Sequence, residues 1–164
     1  MSYPIYDTAQ FGTVAGATHE LFQNAQGQGG TTLSTTNMRG AGQFNGNEKF
    51  TIRKIGLIVD DVITLPDVRA MYYGSILSVR IAQTLKLQVP LQILADKSAY
   101  GGHYTEVAAS DSEFIGLVGN GYELDIPLIV MGNDNFLVSI FQALALSAVT
   151  LAMKCVLYGD LEVK

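Results

Sequence analysis

Residues 84–93 read TLKLQVPLQI, and apolar and polar side chains alternate along them. A period of two is typical of a β-strand, in which successive side chains point to opposite faces. Because proline has no N–H to donate to a neighbouring strand, the pattern predicts an edge strand or a bulge at Pro90. One face of this predicted strand is aliphatic and is made by Leu85, Leu87, Val89, Leu91 and Ile93.

The same period recurs in residues 122–130, which read YELDIPLIV. Their polar residues Glu123 and Asp125 fall on one face together with Pro127. Strands with one polar face are typical of antiparallel sheets, which bury only one side. The residues predicted to face inward are Tyr122, Leu124, Ile126, Leu128 and Val130.

Residues 50–59, FTIRKIGLIV, form a third predicted strand in which the alternation slips by one residue at Arg53-Lys54. A β-bulge at this point would return both halves of the strand to the same face. Pro66 is suited to the first position of a helix and predicts a short helical turn there. Further strands are predicted over residues 75–81, 135–141 and 150–163.

Glycine and asparagine clusters separate these predicted strands, for example Gly132-Asn133-Asp134-Asn135. Many short strands joined by such turns, with little helix, predict an all-β sandwich or barrel. Residues 135–153 are uncharged and long enough to cross a bilayer as a helix. They contain Gln142 and several hydroxyl residues and lead into an alternating strand, so two buried strands are the favoured interpretation, with a helical turn near residues 142–148.

Charged residues make up 15% of the chain, below the usual share of about 25%, and the formal net charge is −5. Nucleic-acid binding needs a clustered positive surface, and here the only adjacent basic pair is Arg53-Lys54. We therefore expect no direct nucleic-acid binding. The single cysteine, Cys155, has apolar neighbours and is predicted to be a buried, inert thiol. The first ten residues lack the pattern of a signal peptide, which favours folding in a reducing cytoplasm.

Residues 1–47 differ from the rest in composition, because they are poor in charge and include the polar run NAQGQGGTTLSTT at 24–36. Such a run has little apolar surface to offset the entropy of ordering, which predicts a flexible N-terminal arm preceding a β domain at 48–164. Spaced aromatic and aliphatic residues suggest that the arm orders against a neighbouring subunit, or else against its own domain. The predicted interface anchors are Tyr3, Phe11, Leu21 and Phe22.

Groups able to perform catalysis are few. His19 lies in the polar N-terminal region and His103 in the sequence GGHY, and no G-x-S-x-G nucleophile motif is present. Metal binding by His103 with Asp96, Glu106 or Asp111 is conceivable, but these residues follow no recognised ligand spacing. We therefore predict no catalytic, cofactor or metal site.

Three segments resemble the small single jelly-roll major capsid proteins of tailless icosahedral, membrane-containing DNA phages, including phages of Thermus. The first is TTNMRGAGQFNGNEKFTIRKIGLIVDD at 35–61, a polar bend that leads into an apolar strand. The others are LQVPLQILADKSAYGG at 87–102 and YELDIPLIVMGNDNFLVSIF at 122–141. The chain's 16 Asn and Gln and low charge depart from the thermophile trend, so the resemblance is to the wider capsid family.

The resemblance implies a single jelly roll that stands upright in a viral shell. It implies association with other copies, pairing with a larger second capsid protein and an underlying viral membrane. The expected function is therefore that of a structural virion protein, found in the capsid and in the host cytoplasm during assembly, without enzymatic activity. The alternative is a carbohydrate- or ligand-binding β-sandwich, with Tyr100, His103 and Tyr104 offering a lectin-like loop. An enzyme built on the same scaffold is a third hypothesis.

Overall fold

The computed structural model describes residues 2–59, 65–97, 103–108, 111–115, 121–147 and 150–164. Strands predominate, as the alternating patterns predict. The elements in chain order are β1 (Ile5–Gly12), β2 (Ala17–Leu21), β3 (Glu48–Val59), α1 (Leu65–Tyr72), β4 (Ile76–Ile81), β5 (Thr84–Pro90), α2 (Leu91–Lys97), β6 (His103–Ala108), β7 (Asp111–Ile115), β8 (Tyr122–Met131), β9 (Phe136–Gln142) and β10 (Thr150–Val163).

Two four-stranded antiparallel sheets pack into a sandwich, which confirms the all-β prediction. The first sheet has the order β1-β10-β3-β8 and the second has the order β2-β9-β4-β5. Strands β6 and β7 form a separate two-stranded hairpin, inserted between β5 and β8 in the chain.

The strand pairs are nested along the chain. β1 pairs with β10, β2 with β9, β3 with β8, and β4 with β5. These four pairs are successive parts of one long antiparallel ribbon that alternates between the two sheets. The pairs β3·β10 and β4·β9 then join the ribbon to itself within each sheet.

The core lies between the sheets and is closed at one end by aromatic rings. Phe44 stacks on Phe50 and on Phe136, with ring centroids 5.2 and 5.5 Å apart, and Phe136 also contacts Phe22 at 5.5 Å. Phe22, Phe50 and Phe136 are almost completely buried. Such rings contribute much of the apolar area that stabilises a sandwich of this size.

The predicted bulge in β3 is confirmed. Lys54 is opposite Tyr158 and Ile52 is opposite Gly159, so Arg53 is the extra residue on β3. Arg53 points to solvent, while Ile52 and Ile55 both remain in the core. The bulge therefore produces the phase slip seen in the sequence.

The predicted edge strand at Pro90 is also confirmed, because β5 is the outermost strand of the second sheet and Pro90 is its last residue. The strand prediction was wrong beyond that point, where the chain turns into α2. Leu91, the first residue of this helix, is buried, whereas Ile93 is 43% exposed and does not continue the apolar face. Leu85 is also exposed, because a register shift beside Arg80 turns it outward.

Strand β8 departs from simple alternation in its first half. Lys54 pairs with Glu123 and Ile52 pairs with Leu128. Between these pairs β3 has one residue and β8 has four, so β8 carries three extra residues. Ile126, predicted to face inward, is 80% exposed within this bulge. That prediction was wrong because the period of two assumes continuous pairing, which the bulge interrupts.

The uncharged stretch at 135–153 forms β9 and the beginning of β10, as its favoured interpretation predicted. Residues 143–147 between them follow an irregular path without a helix. The side chain of Asp67 in α1 accepts hydrogen bonds from the Ser147 N–H and hydroxyl, at 2.6 and 2.8 Å. Within the described ranges, no helix is long and apolar enough to span a bilayer.

The predicted flexible arm at 1–47 requires correction. Strand β1 pairs with β10 along its whole length, and β2 pairs with β9, so this region supplies one strand to each sheet. The proposed division into an arm (1–47) and a β domain (48–164) therefore cuts through a single sandwich. The prediction considered the entropy of ordering a polar segment. In the structure, the hydrogen bonds and buried side chains of the two strands offset that entropy.

The polar run at 24–36 is ordered by turns and covers the free edge of β1. The side-chain carbonyl of Asn37 accepts the Tyr6 N–H at 2.9 Å, and the Asn37 N–H donates to the Tyr6 carbonyl. The Thr8 hydroxyl donates to the Thr35 carbonyl at 2.8 Å. This segment is thus an edge cover whose bonds are made to its own sandwich.

Candidate functional site: the outer faces of the two sheets

The predicted interface anchors lie mostly inside the sandwich. Phe11, Leu21 and Phe22 are fully buried, which corrects their assignment as contacts for a neighbouring subunit. They are instead core residues of β1 and of the end of β2. Tyr3 is half-buried, and its N–H donates to the Gly159 carbonyl at 2.8 Å. The surfaces available to a partner must therefore be sought on the solvent faces of the sheets.

One acidic side chain, Asp7, points into the sandwich from β1. It accepts hydrogen bonds from the backbone N–H groups of Phe22 and Thr8, which connects β1 to the residue that follows β2. Burial raises the pKa of Asp7, although these hydrogen bonds oppose the shift. Cys155 lies opposite Asp7 on β10, and burial together with that carboxylate raises its pKa to about 12. Cys155 is fully buried, as predicted.

We expect Asp7→Asn to lower the free energy of unfolding by about 1–3 kcal/mol, because one backbone N–H then faces an amide NH₂ instead of an oxygen. Urea unfolding of both proteins at a series of pH values measures this difference. Because its pKa is raised in the folded state, Asp7 binds its proton more tightly there than in the unfolded state. The stability that this group contributes to the wild type is therefore fully present below pH 3.8 and falls as the pH rises through the raised folded pKa. The difference between wild type and variant should therefore shrink over that window. A difference that grows with pH would show that the N–H donors outweigh burial.

A second polar cluster joins β1, β2 and β9. His19 Nε2 lies 2.9 Å from Gln142 Oε1, and the Gln142 amide donates to the carbonyls of Gly12 and Leu144 at 2.7 and 2.8 Å. The His19 ring packs against Phe11, with 4.6 Å between centroids. Gln142 is completely buried, so this cluster fastens the sheet ends together.

The outer face of the first sheet carries paired charges. Arg53 Nε donates to Asp160 at 2.8 Å, and Lys49 Nζ donates to Glu162 at 2.9 Å. Each of these hydrogen bonds lowers the pKa of its carboxyl group. All four residues connect β3 to β10 across the solvent side.

Two lysines on the same face lie over tyrosine rings. Lys54 Nζ is 5.5 Å from the centre of the Tyr158 ring, and Lys154 Nζ is 5.0 Å from that of Tyr6. Such contacts contribute about 0.5–1 kcal/mol at exposed positions. The cations of this face are thus engaged within the subunit.

The outer face of the second sheet is different, because it is mostly uncharged. One row of side chains across the strands is polar. The neighbouring row is apolar, and in it Ile76 lies opposite Phe141 on one side and Pro90 on the other. Phe141 is 41% exposed and Ile76 is 36% exposed. The polar row contains Glu20, Ser139, Ser78 and Gln88.

An open groove of about 580 Å³ lies at one end of this face. Its polar lining consists of Arg80 and the amide side chains of Gln23, Gln83 and Asn135, and within the described part of the chain no lining residue is acidic. Gln23 donates to the Phe136 carbonyl at 3.2 Å, and the Asn135 side-chain oxygen accepts from Gln43. Ala41 and Gly42 form one wall.

The sequence did not single out Arg80 or the groove. Arg80 stands between the apolar residues Val79 and Ile81, so the strand period alone would have placed it on the solvent face. The groove combines four separate segments, and no local pattern predicts that combination.

The remaining candidates of the sequence lie outside the residues whose side chains the structure describes. These are Asp96, Tyr100, His103, Tyr104, Glu106 and Asp111. Among the described residues, no group of three or more His, Cys, Asp and Glu is arranged to hold a metal ion. Comparison of the chain with family models, with curated proteins and with solved structures found no match in any of the three.

Proposed function

We propose that this chain is a structural virion protein, a jelly-roll subunit of an icosahedral capsid that acts by self-association. The observation that carries the proposal is the nested order of the eight sandwich strands. It is supported by the resemblance of residues 35–61, 87–102 and 122–141 to single jelly-roll capsid proteins.

A jelly roll consists of eight strands in two antiparallel sheets, connected as two Greek keys. An antiparallel ribbon that is wrapped around a barrel produces such connections, because each successive strand pair then falls in the other sheet. The alternation of the pairs β1·β10, β2·β9, β3·β8 and β4·β5 between the two sheets supports this topology. Jelly rolls are frequent both in viral capsids and in lectins, so a lectin-like module is the main alternative to this proposal.

The surface composition favours repeated contacts between subunits. The outer face of the second sheet exposes polar and apolar side chains with few charges, so copies can approach without strong mutual repulsion. In this proposal the subunit also pairs with a larger second capsid protein and lies above a viral membrane. It assembles in the host cytoplasm, belongs to the virion, and has no enzymatic or nucleic-acid-binding role.

Size-exclusion chromatography coupled to light scattering, over a concentration series at moderate salt, tests the proposal. We expect dimers or larger species whose mass grows with concentration. A strict monomer throughout, combined with specific binding on a glycan array, would contradict the capsid function and support the lectin-like alternative. The array is needed because the fold alone does not separate the two functions.

A further inference from the structure

Two side chains of opposite charge stand on the outer face of the second sheet without partners among the described residues. Glu20 of β2 and Arg80 of β4 are both exposed. Neither makes a hydrogen bond or ion pair within the described chain, unlike the paired charges of the first sheet. Arg80 alternates with buried neighbours, and the register that aligns Glu20 with Ser139 and Ser78 places Glu20 on the same face of the sheet.

The strand register gives the spacing of these two charges. Glu20 is opposite Ser139, which is opposite Ser78, and Arg80 lies two residues beyond Ser78 on β4. Two strand spacings and one row of side chains separate them, or about 12 Å between Cα atoms. Across this spacing the two side chains form no ion pair with each other within one subunit.

The groove beside Arg80 suits a carboxylate. Among the described residues that line it, the Arg80 guanidinium is the only charged group, and Gln83 and Asn135 contribute side-chain amides that can donate hydrogen bonds. A carboxylate on a guanidinium makes charge-assisted bonds that are stronger than those between neutral groups. The groove is therefore complementary to an acidic side chain brought from outside.

We propose that this face binds the same face of a second copy, and that each Glu20 carboxylate enters the groove of the other copy and pairs with its Arg80. The inference rests on the self-association proposed above and assigns it a surface. A two-fold axis that lies in the contact plane and passes over β9 near Val138 brings Glu20 of each copy opposite Arg80 of the other copy. A two-fold contact is self-complementary, so one such axis forms both ion pairs.

The area around the charges suits such a contact. Phe141, Ile76 and Pro90 form an exposed apolar row beside the small polar residues Ser78 and Ser139. The face measures roughly 20 by 19 Å, or about 380 Å² per copy, which is about half of the roughly 800 Å² per partner that a standard specific interface buries. The dimer should therefore be reversible, and salt should weaken it.

Charge reversal tests the pairing. Sedimentation velocity is measured over a concentration series for the wild type, Glu20→Arg, Arg80→Glu and the double variant. Each single reversal alters both symmetric pairs and should weaken dimerisation by about tenfold or more. The double variant restores opposite charges and should return dimerisation to near the wild-type level.

Arg69→Glu is the matched control, since it makes the same substitution at an exposed position of α1, away from this face. It should leave dimerisation unchanged, and thermal unfolding should be similar for all variants. Single reversals without effect, or a double variant weaker than either single one, would overturn the pairing. An effect of Arg80→Glu without one of Glu20→Arg would also overturn it and would assign the groove to another carboxylate.

The experiment separates the failure of this inference from that of the proposed function. Association that persists in every variant overturns the Glu20–Arg80 contact and leaves the capsid proposal intact. A wild type that stays monomeric up to the highest soluble concentration overturns the face-to-face contact, and it overturns the capsid proposal as well if the chain also binds specifically on the glycan array.

Discussion

Leu21→Ala should lower the free energy of unfolding by about 2–5 kcal/mol, as is usual for fully buried leucines. Leu21 ends β2 and is completely buried, so the substitution leaves a cavity between the sheets. The loss should appear in dilute protein, at concentrations where no association takes place. Urea unfolding followed by circular dichroism measures it.

Leu33→Ala is the matched control, because it makes the same change in the same N-terminal region at a side chain that is 58% exposed. We expect it to change stability by no more than about 0.5 kcal/mol. If both substitutions proved equally mild in the monomer, residues 1–47 would behave as the flexible arm that their composition predicts. A large difference between them supports the single sandwich.

Gly159→Ala should destabilise the protein by about 3 kcal/mol or more, or prevent folding. Gly159 lies in β10 beside the bulge at Arg53, where the two strands approach closely. A methyl group at this position would overlap the carbonyl oxygen of Thr51 and lie 3.0 Å from the Phe50 ring. Backbone atoms in the middle of a sheet cannot move aside without breaking ladder hydrogen bonds, so the strain is large.

Gly56→Ala makes the same change on the neighbouring strand and provides the control. Its new methyl group would meet the ring of Tyr158 at 3.0 Å, and that side chain is exposed enough to shift. We expect a loss of less than about 1 kcal/mol. Equal losses in the two variants would mean that the bulge has no special steric requirement.

Strands with a sustained apolar alternation could be predicted from the sequence, including β3 on both sides of its bulge, whereas β1 could not. The slip at Arg53-Lys54 was visible because apolar residues continue on both sides of it. β1 was missed because its inward positions include Asp7 and Ala9 between Ile5 and Phe11, which weakens the alternation. The Asp7 carboxylate is tolerated inside the sandwich because it accepts hydrogen bonds from two backbone N–H groups, that of the adjacent Thr8 and that of Phe22.

The start of α2 was missed for the opposite reason. Leu91 and Ile93 extend the alternation of the preceding strand by chance, although Pro90 marks the place where the strand ends. The candidate contact surface lay further beyond prediction. Glu20 and Arg80 are ordinary solvent residues in the sequence, and only the register of β2, β9 and β4 shows that they share a face.

The cover that residues 31–37 place over β1 has a counterpart on each of the other sheet edges. β2 has only five residues, β5 ends in a proline, and β8 is interrupted by its three-residue bulge. An open edge would recruit strands from other molecules without limit, as happens in amyloid. These edges therefore disfavour open-ended strand addition, and copies of the chain are left to meet through faces and loops, where contacts are finite in number.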